Sequence, residues 1–218
     1  MTTRRAVLAA GATGALALSS GCLGFVTGSE ALEFDASKVL PADAALEETG
    51  YEHHDSGWER IEETVSVGVE REIHASLWNA VYSKEVSIQG QRQEAAMFAA
   101  VSVPAMEIAG STQNPLDDMD NREILDEVRD QIEGNYGSLR DIRHHERTVV
   151  SILGADRSVD VFAARTDLEG EEMELRLPLT TFTHEDDLLV LVGGYPRLLP
   201  DEGVNIEVLM ESIEHPLE

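Results

Sequence analysis

The chain runs to 218 residues, enough for one domain with a sizeable core, and its 42% hydrophobic content excludes wholesale disorder. Acidic residues number 42 against 16 basic ones, a formal net charge of −26 that would repel nucleic acid and an anionic membrane surface. The acidic residues are dispersed, and only two lysines, Lys38 and Lys84, stand against fourteen arginines. That is the pattern of a protein adapted to molar salt, where the Debye length falls to about 3 Å, repulsion is screened and an acidic surface stays hydrated.

In chain order, residues 1–21 read as an export leader. Arg4 and Arg5 supply the positive start and Ala6 to Leu18 the apolar core, too short for a membrane span, which needs about 20 apolar residues. Thr3-Arg4-Arg5-x-Val7-Leu8 resembles the twin-arginine signal, an address read by a translocase that exports folded proteins. Ser19-Ser20-Gly21-Cys22 resembles a lipoprotein box, in which the Cys22 thiol is lipidated and becomes the new N-terminus; Ser19 stands where leucine is usual, with Leu18 one place earlier. On this reading the protein is exported and anchored to the outer face of the cell membrane through Cys22. With its only thiol lipidated, disulfides, zinc–cysteine sites and thiol catalysis are excluded. Residues 22–36 then form a flexible tether and residues 37–218 a single α+β domain.

Within that domain, Pro41 to Glu48 predicts a short helix stopped by Gly50. Trp58 to Val69 and Glu72 to Ile88 alternate as a long antiparallel pair turned near Glu70-Arg71, and Ala95 to Val103 is an apolar strand ended by Pro104. Asn114-Pro115 marks a turn. Asp120-Asn121-Arg122-Glu123 has the form of a capping box, followed by Ile124, Leu125, Val128 and Ile132 at helical spacing and a stop at Gly134. Four strands follow at Arg147–Leu153, Ser158–Thr166, Glu172–Thr181 and Leu188–Gly193, separated by turn residues, and Gly203 to Ile213 closes the chain as a helix. The expectation is an α+β sandwich: an antiparallel sheet of about six to seven strands packed against two or three helices.

The stretches Ala99-Ala-Val-Ser-Val-Pro104, Gly110-x-x-x-Asn114-Pro115, Asp187 to Pro196 and Leu209-Met-Glu-Ser-Ile-Glu-His215 resemble a family of uncharacterised haloarchaeal twin-arginine lipoproteins, across most of the chain after the leader. The family has no assigned activity, so the resemblance implies a compartment and no chemistry. The order of elements is also similar to the PsbP-like fold, on topology alone, and a fold does not imply a function.

Few residues point to chemistry. There is no Gly-x-Ser-x-Gly elbow, phosphate loop, dinucleotide fingerprint or His-Glu-x-x-His, so no catalytic residue, metal site or cofactor is assigned. His53-His54 and His144-His145 are adjacent on strands, where neighbouring side chains point to opposite faces and do not chelate one ion. Asp117-Asp118-x-Asp120-Asn121 lacks the glycine and distal glutamate of a calcium loop and reads as a helix N-terminus. Glu185-Asp186-Asp187 reads as a solvated turn, and Trp58 and Trp78 as core or sheet-face residues. Gly193-Gly194-Tyr195-Pro196-Arg197 is the candidate for ligand contact: paired glycines admit a close approach, Tyr195 offers stacking and Arg197 is a rare positive charge, against the plainer reading of a strand end and turn. The function expected is binding or scaffolding without catalysis. The partners are the membrane through the lipid anchor and an envelope protein, with no nucleic acid. Carriage of a small ligand is the alternative, and a metal-dependent envelope enzyme a third reading.

Overall fold

The computed structural model describes residues 31–67, 69–88, 90–108, 111–113, 119–168 and 171–217. Arg4, Arg5, Cys22, the Asn114-Pro115 turn and Asp117-Asp118 lie outside them. The strands are β1 (Leu32–Asp35), β2 (Lys38–Pro41), β3 (Glu52–Val67), β4 (Val69–Ile88), β5 (Gln91–Pro104), β6 (Met106–Ile108), β7 (Ser111–Gln113), β8 (Arg140–Ile152), β9 (Ala155–Leu168), β10 (Glu171–His184), β11 (Asp187–Pro196) and β12 (Ile213–Leu217). The helices are α1 (Asp43–Thr49), α2 (Asn121–Glu127), α3 (Arg129–Tyr136) and α4 (Asp201–Glu211). The class is α+β. Eight strands make the main sheet, in the order β1-β4-β5-β11-β10-β9-β8 with β3 paired to β4 off that path; β2 pairs with β12 and β6 with β7. The ladders β4–β5, β5–β11, β11–β10, β10–β9 and β9–β8 run antiparallel.

β11 shows why the core sits where it does. Asp187-Leu-Leu-Val-Leu-Val-Gly-Gly is a nearly unbroken apolar run, the pattern of a strand covered on both faces, and all but Tyr195 of β11 is buried. Its two glycines identify the covers. A Cβ at Gly193 would lie 2.7 Å from Cγ2 of Ile206 on α4, and one at Gly194 would lie 2.9 Å from Cε2 of Tyr136 on α3. Successive residues of a strand face opposite ways, so α4 covers one face of the sheet and α3 the other. The Tyr136 hydroxyl fixes the second cover by donating to the Gly194 carbonyl at 2.6 Å, with the Ala95 carbonyl 3.1 Å away. On the α4 side, α1 packs beside α4, and the buried Trp78 donates its indole N–H to the Val39 carbonyl at 3.2 Å.

Several boundaries differ from those expected. The sheet has eight strands where six to seven were expected, and the described residues hold four helices rather than two or three. β8 begins at Arg140 and not near Arg147, because its first half is an edge strand exposed on both faces, where charged residues hide the strand pattern. The helix expected over 124–134 is two helices broken at Val128, and Gly134 lies inside α3, which ends at Gly137. The turn expected at Glu70-Arg71 lies within β4. The stretch assigned to the tether, 22–36, ends in β1, and Ala36 is buried and donates its N–H to the Ser76 carbonyl at 2.9 Å. The described residues divide into two compact units: 31–34 with 60–75, and 35–59 with 76–217. Every site described below lies in the second.

Candidate functional site

β8 reads Arg140-Asp-Ile-Arg-His-His-Glu-Arg147 before it turns apolar, and it lies at the end of the sheet order. Its register against β9 shifts between Arg140 and Arg143 and again between His144 and Glu146. Such bulges re-aim side chains at a sheet rim. Beside them, between β8, β9 and the start of α2, opens a cleft of about 400 Å³. Phe162 and Ile142 give it apolar walls, and Asn121, Arg122, His144 and Arg147 line it with polar groups.

One carboxylate organises these groups. Asp160 is buried, and its Oδ1 accepts from Arg147 Nε at 2.7 Å and from His144 Nε2 at 2.9 Å. Its Oδ2 accepts from Asn121 Nδ2 at 2.8 Å and from Arg147 Nη2 at 3.2 Å. Asn121 is pinned in turn, since its Oδ1 accepts from the Thr181 hydroxyl. Burial alone would raise the Asp160 carboxyl, but the bonds from Arg147, Asn121 and His144 outweigh it and hold the group below the usual carboxylate range. The His144 ring also stands edge-on to Phe162, with centroids 5.8 Å apart. Half of the His144 side chain and more than half of Arg147 stay open to solvent, at 50% and 62% exposure. The result is a fork and an imidazole fixed in place before anything binds.

The α2 N-terminus closes on itself. Asp120 Oδ1 accepts from the backbone N–H groups of Arg122 and Glu123 at 2.8 and 2.9 Å, and Glu123 Oε2 accepts from the Asp120 N–H at 2.9 Å. That is the capping box expected from sequence.

The Gly193–Arg197 stretch is packed at its glycines and joins a charged cluster at its end. Its glycines are filled by Ile206 and Tyr136, so the close approach they permit is of helices and not of a ligand. Tyr195 is half-buried, its hydroxyl aimed at α4, where a Cβ on Gly203 would come within 2.6 Å of it. Burial pushes the Tyr195 phenol up. Arg197 does join a charged cluster. Glu174 Oε1 accepts from Arg176 Nη1 at 2.7 Å and Arg143 Nη2 at 3.1 Å, Arg197 Nε lies 3.2 Å from Oε2, and the Arg197 N–H donates to the Glu174 carbonyl at 2.8 Å. The hydrogen bond from Arg176, then the charges of Arg176, Arg197 and Arg143, hold the Glu174 carboxyl low against the effect of burial.

Asp187 is not the solvated turn residue expected of Glu185-Asp186-Asp187. Glu185 and Asp186 turn the chain with positive φ and are exposed, but Asp187 is buried. Its Oδ2 accepts from the Ser37 N–H at 2.7 Å and from His215 Nε2 at 3.0 Å, and His215 Nδ1 lies 2.9 Å from His184 Nδ1. Sequence gave no sign of this chain, whose members stand 28 and 31 residues apart. His53 sits against Ser56 and Tyr82, far in contacts from His144 on Asp160 and Phe162, and no group of three His, Cys, Asp or Glu is placed to hold a metal among the described residues. Trp78 is core and Trp58 is a sheet-face residue, 51% exposed, their rings meeting edge-on at 5.1 Å.

Comparison with the curated proteins finds no match. The crystal structure of PA94, a protein of unknown function from Pseudomonas aeruginosa, aligns over 71% of this chain and 95% of its own, with 15% identity and a TM-score of 0.36. A family model covers nearly the whole region after the expected tether, residues 38–214, and the chain therefore belongs to the family described as Domain of unknown function (DUF6517).

Proposed function

We propose that this is an exported, lipid-anchored protein of a halophile's cell envelope that works by binding rather than by catalysis, with an envelope protein as partner and the cleft over Asp160 as the contact. The address rests on Arg4-Arg5 and Cys22. The reading of the cleft rests on one observation: the buried Asp160 holds Asn121, His144 and Arg147 in fixed positions around an open cavity at a strand edge. Groups fixed in advance lose little freedom on association, so such a site favours binding. At a net charge of −26 in molar salt, long-range attraction is screened and recognition falls to short contacts of this kind. A PsbP-like arrangement of sheet and helices belongs to the same proposal, on element order alone.

The test is a pull-down of the tagged full-length protein from its native membranes in molar potassium chloride, beside a His144→Ala/Arg147→Ala variant. A defined envelope protein held by the first and lost by the second is the expected result. An identical set of proteins on both would remove the cleft from the proposal. The size of the cleft supports a second reading, carriage of a small ligand, since such sites occupy about 300–1,000 Å³. A small molecule eluting with an otherwise lone protein would favour it.

A further inference from the structure

On β9, Asp160 and Arg165 are an odd number of residues apart, and Glu174 pairs with Arg165 in the regular β9–β10 ladder. Glu174 therefore lies on the opposite face of the sheet from the cleft, on the side covered by α4. Three guanidiniums from three segments meet it there: Arg143 from β8, Arg176 from β10 and Arg197 from the turn before α4. Three positive charges face one negative charge, in a chain where acidic residues outnumber basic ones by more than two to one. A carboxylate uses only a few of the N–H donors that three guanidiniums carry. Besides Glu174, the one further acceptor the described contacts give these side chains is the Leu175 carbonyl, 3.4 Å from Arg176 Nη1.

The exposures make the remaining donors usable. Arg176 is 13% exposed and acts as the fixed wall, while Arg143 and Arg197 are 53% and 62% exposed and open to solvent. Glu174 sets the directions of all three forks. Glu146 and Glu207, both exposed, border the cluster on the side of Tyr195, and the described contacts give neither an ion pair with the three arginines.

We propose that this cluster is a second binding site, for a free tetrahedral oxyanion of two negative charges, phosphate or sulfate in type. The oxygens of a dianion accept from the outward donors of Arg143 and Arg197 while Glu174 keeps the forks oriented. The site stands independently of the cleft, although Arg143 borders both.

The experiment is a titration of the folded full-length protein with inorganic phosphate at constant, high ionic strength, read from the arginine Nε–Hε signals by NMR. Saturable shifts confined to Arg143, Arg176 and Arg197 are expected. Arg197→Gln and Arg143→Gln should each weaken binding about tenfold, the scale of losing one charge-assisted hydrogen bond. Acetate should bind at least tenfold more weakly than phosphate. Shifts that rise linearly without saturation, equal binding by Arg197→Gln or equal binding of acetate would each overturn the proposal. His144→Ala/Arg147→Ala should leave the titration unchanged, so a failure of the cleft reading and a failure of this one remain distinguishable.

Discussion

Replacing Gly194 by alanine should destabilise the protein by about 2–4 kcal/mol. A Cβ there would stand 2.9 Å from Tyr136 Cε2, 3.1 Å from Tyr136 Oη and 3.1 Å from Met97 Cγ. Tyr136 and Met97 are both buried, at 1% and 4% exposure, so neither side chain has solvent to swing into. Forcing a methyl group into such a core costs about 1–3 kcal/mol. Displacing the Tyr136 ring also stretches its 2.6 Å hydrogen bond to the Gly194 carbonyl, a further loss of about 1 kcal/mol. Gly57 supplies the control, because a Cβ there meets nothing within 4 Å and Gly57→Ala should shift stability by no more than about 0.5 kcal/mol. Equilibrium denaturation in guanidinium chloride at fixed salt gives both values, and the slope against denaturant should be the same for the two variants. If Gly194→Ala matched Gly57→Ala, the argument that the paired glycines exist to seat helices on opposite faces would fall.

Gly134 lies in the interior of α3 with open space around its Cα, so Gly134→Ala should raise stability by about 0.5–1 kcal/mol in the same assay. Asp187→Ala leaves the fully buried His215 and the Ser37 N–H without their acceptor and should cost about 1–3 kcal/mol, with faster amide exchange in β2 and β12, since Ser37 precedes the one and His215 lies in the other. The folded Asp160 and Glu174 carboxyls are held below their unfolded values, so the stability they contribute is complete above the usual carboxylate range and is lost as pH falls through the lowered folded values. Unfolding free energy measured through the acid range should therefore fall less steeply in Asp160→Asn than in the parent protein; parallel acid limbs would contradict the assignment.

The elements that announce themselves are those whose signal is local. Asp120 and Glu123 close the capping box they spell, Gly50 ends α1 in the left-handed conformation with φ 72°, and the apolar run of β11 is the buried centre of the sheet. The same locality misleads at Gly134, which stops no helix, and at Gly193-Gly194, where a motif suited to a ligand turns out to be filled by Ile206 and Tyr136. The first half of β8 was hidden because an edge strand exposed on both faces need not alternate. The organising carboxylates were hidden for another reason: Asp160 gathers Asn121 from 39 residues away, and Glu174 gathers Arg143 from 31. Among 42 acidic residues nothing local distinguishes these two, and only the antiparallel register of β8, β9 and β10 brings their partners together. Of the two residues expected to contact a ligand, Arg197 belongs to such a cluster and Tyr195 serves the packing of α4.

The claim that the protein binds a partner through the cleft is tested most directly by site-specific photo-crosslinking in intact cells. A photoreactive residue in place of Arg122, which lines the cleft with 41% of its side chain open to solvent, is compared with one in place of the exposed Glu211 on α4. A single discrete adduct from position 122, absent from position 211 and lost when Arg147→Ala is added, is the predicted result. The same adducts from both positions, or an adduct at 122 that survives Arg147→Ala, would contradict it.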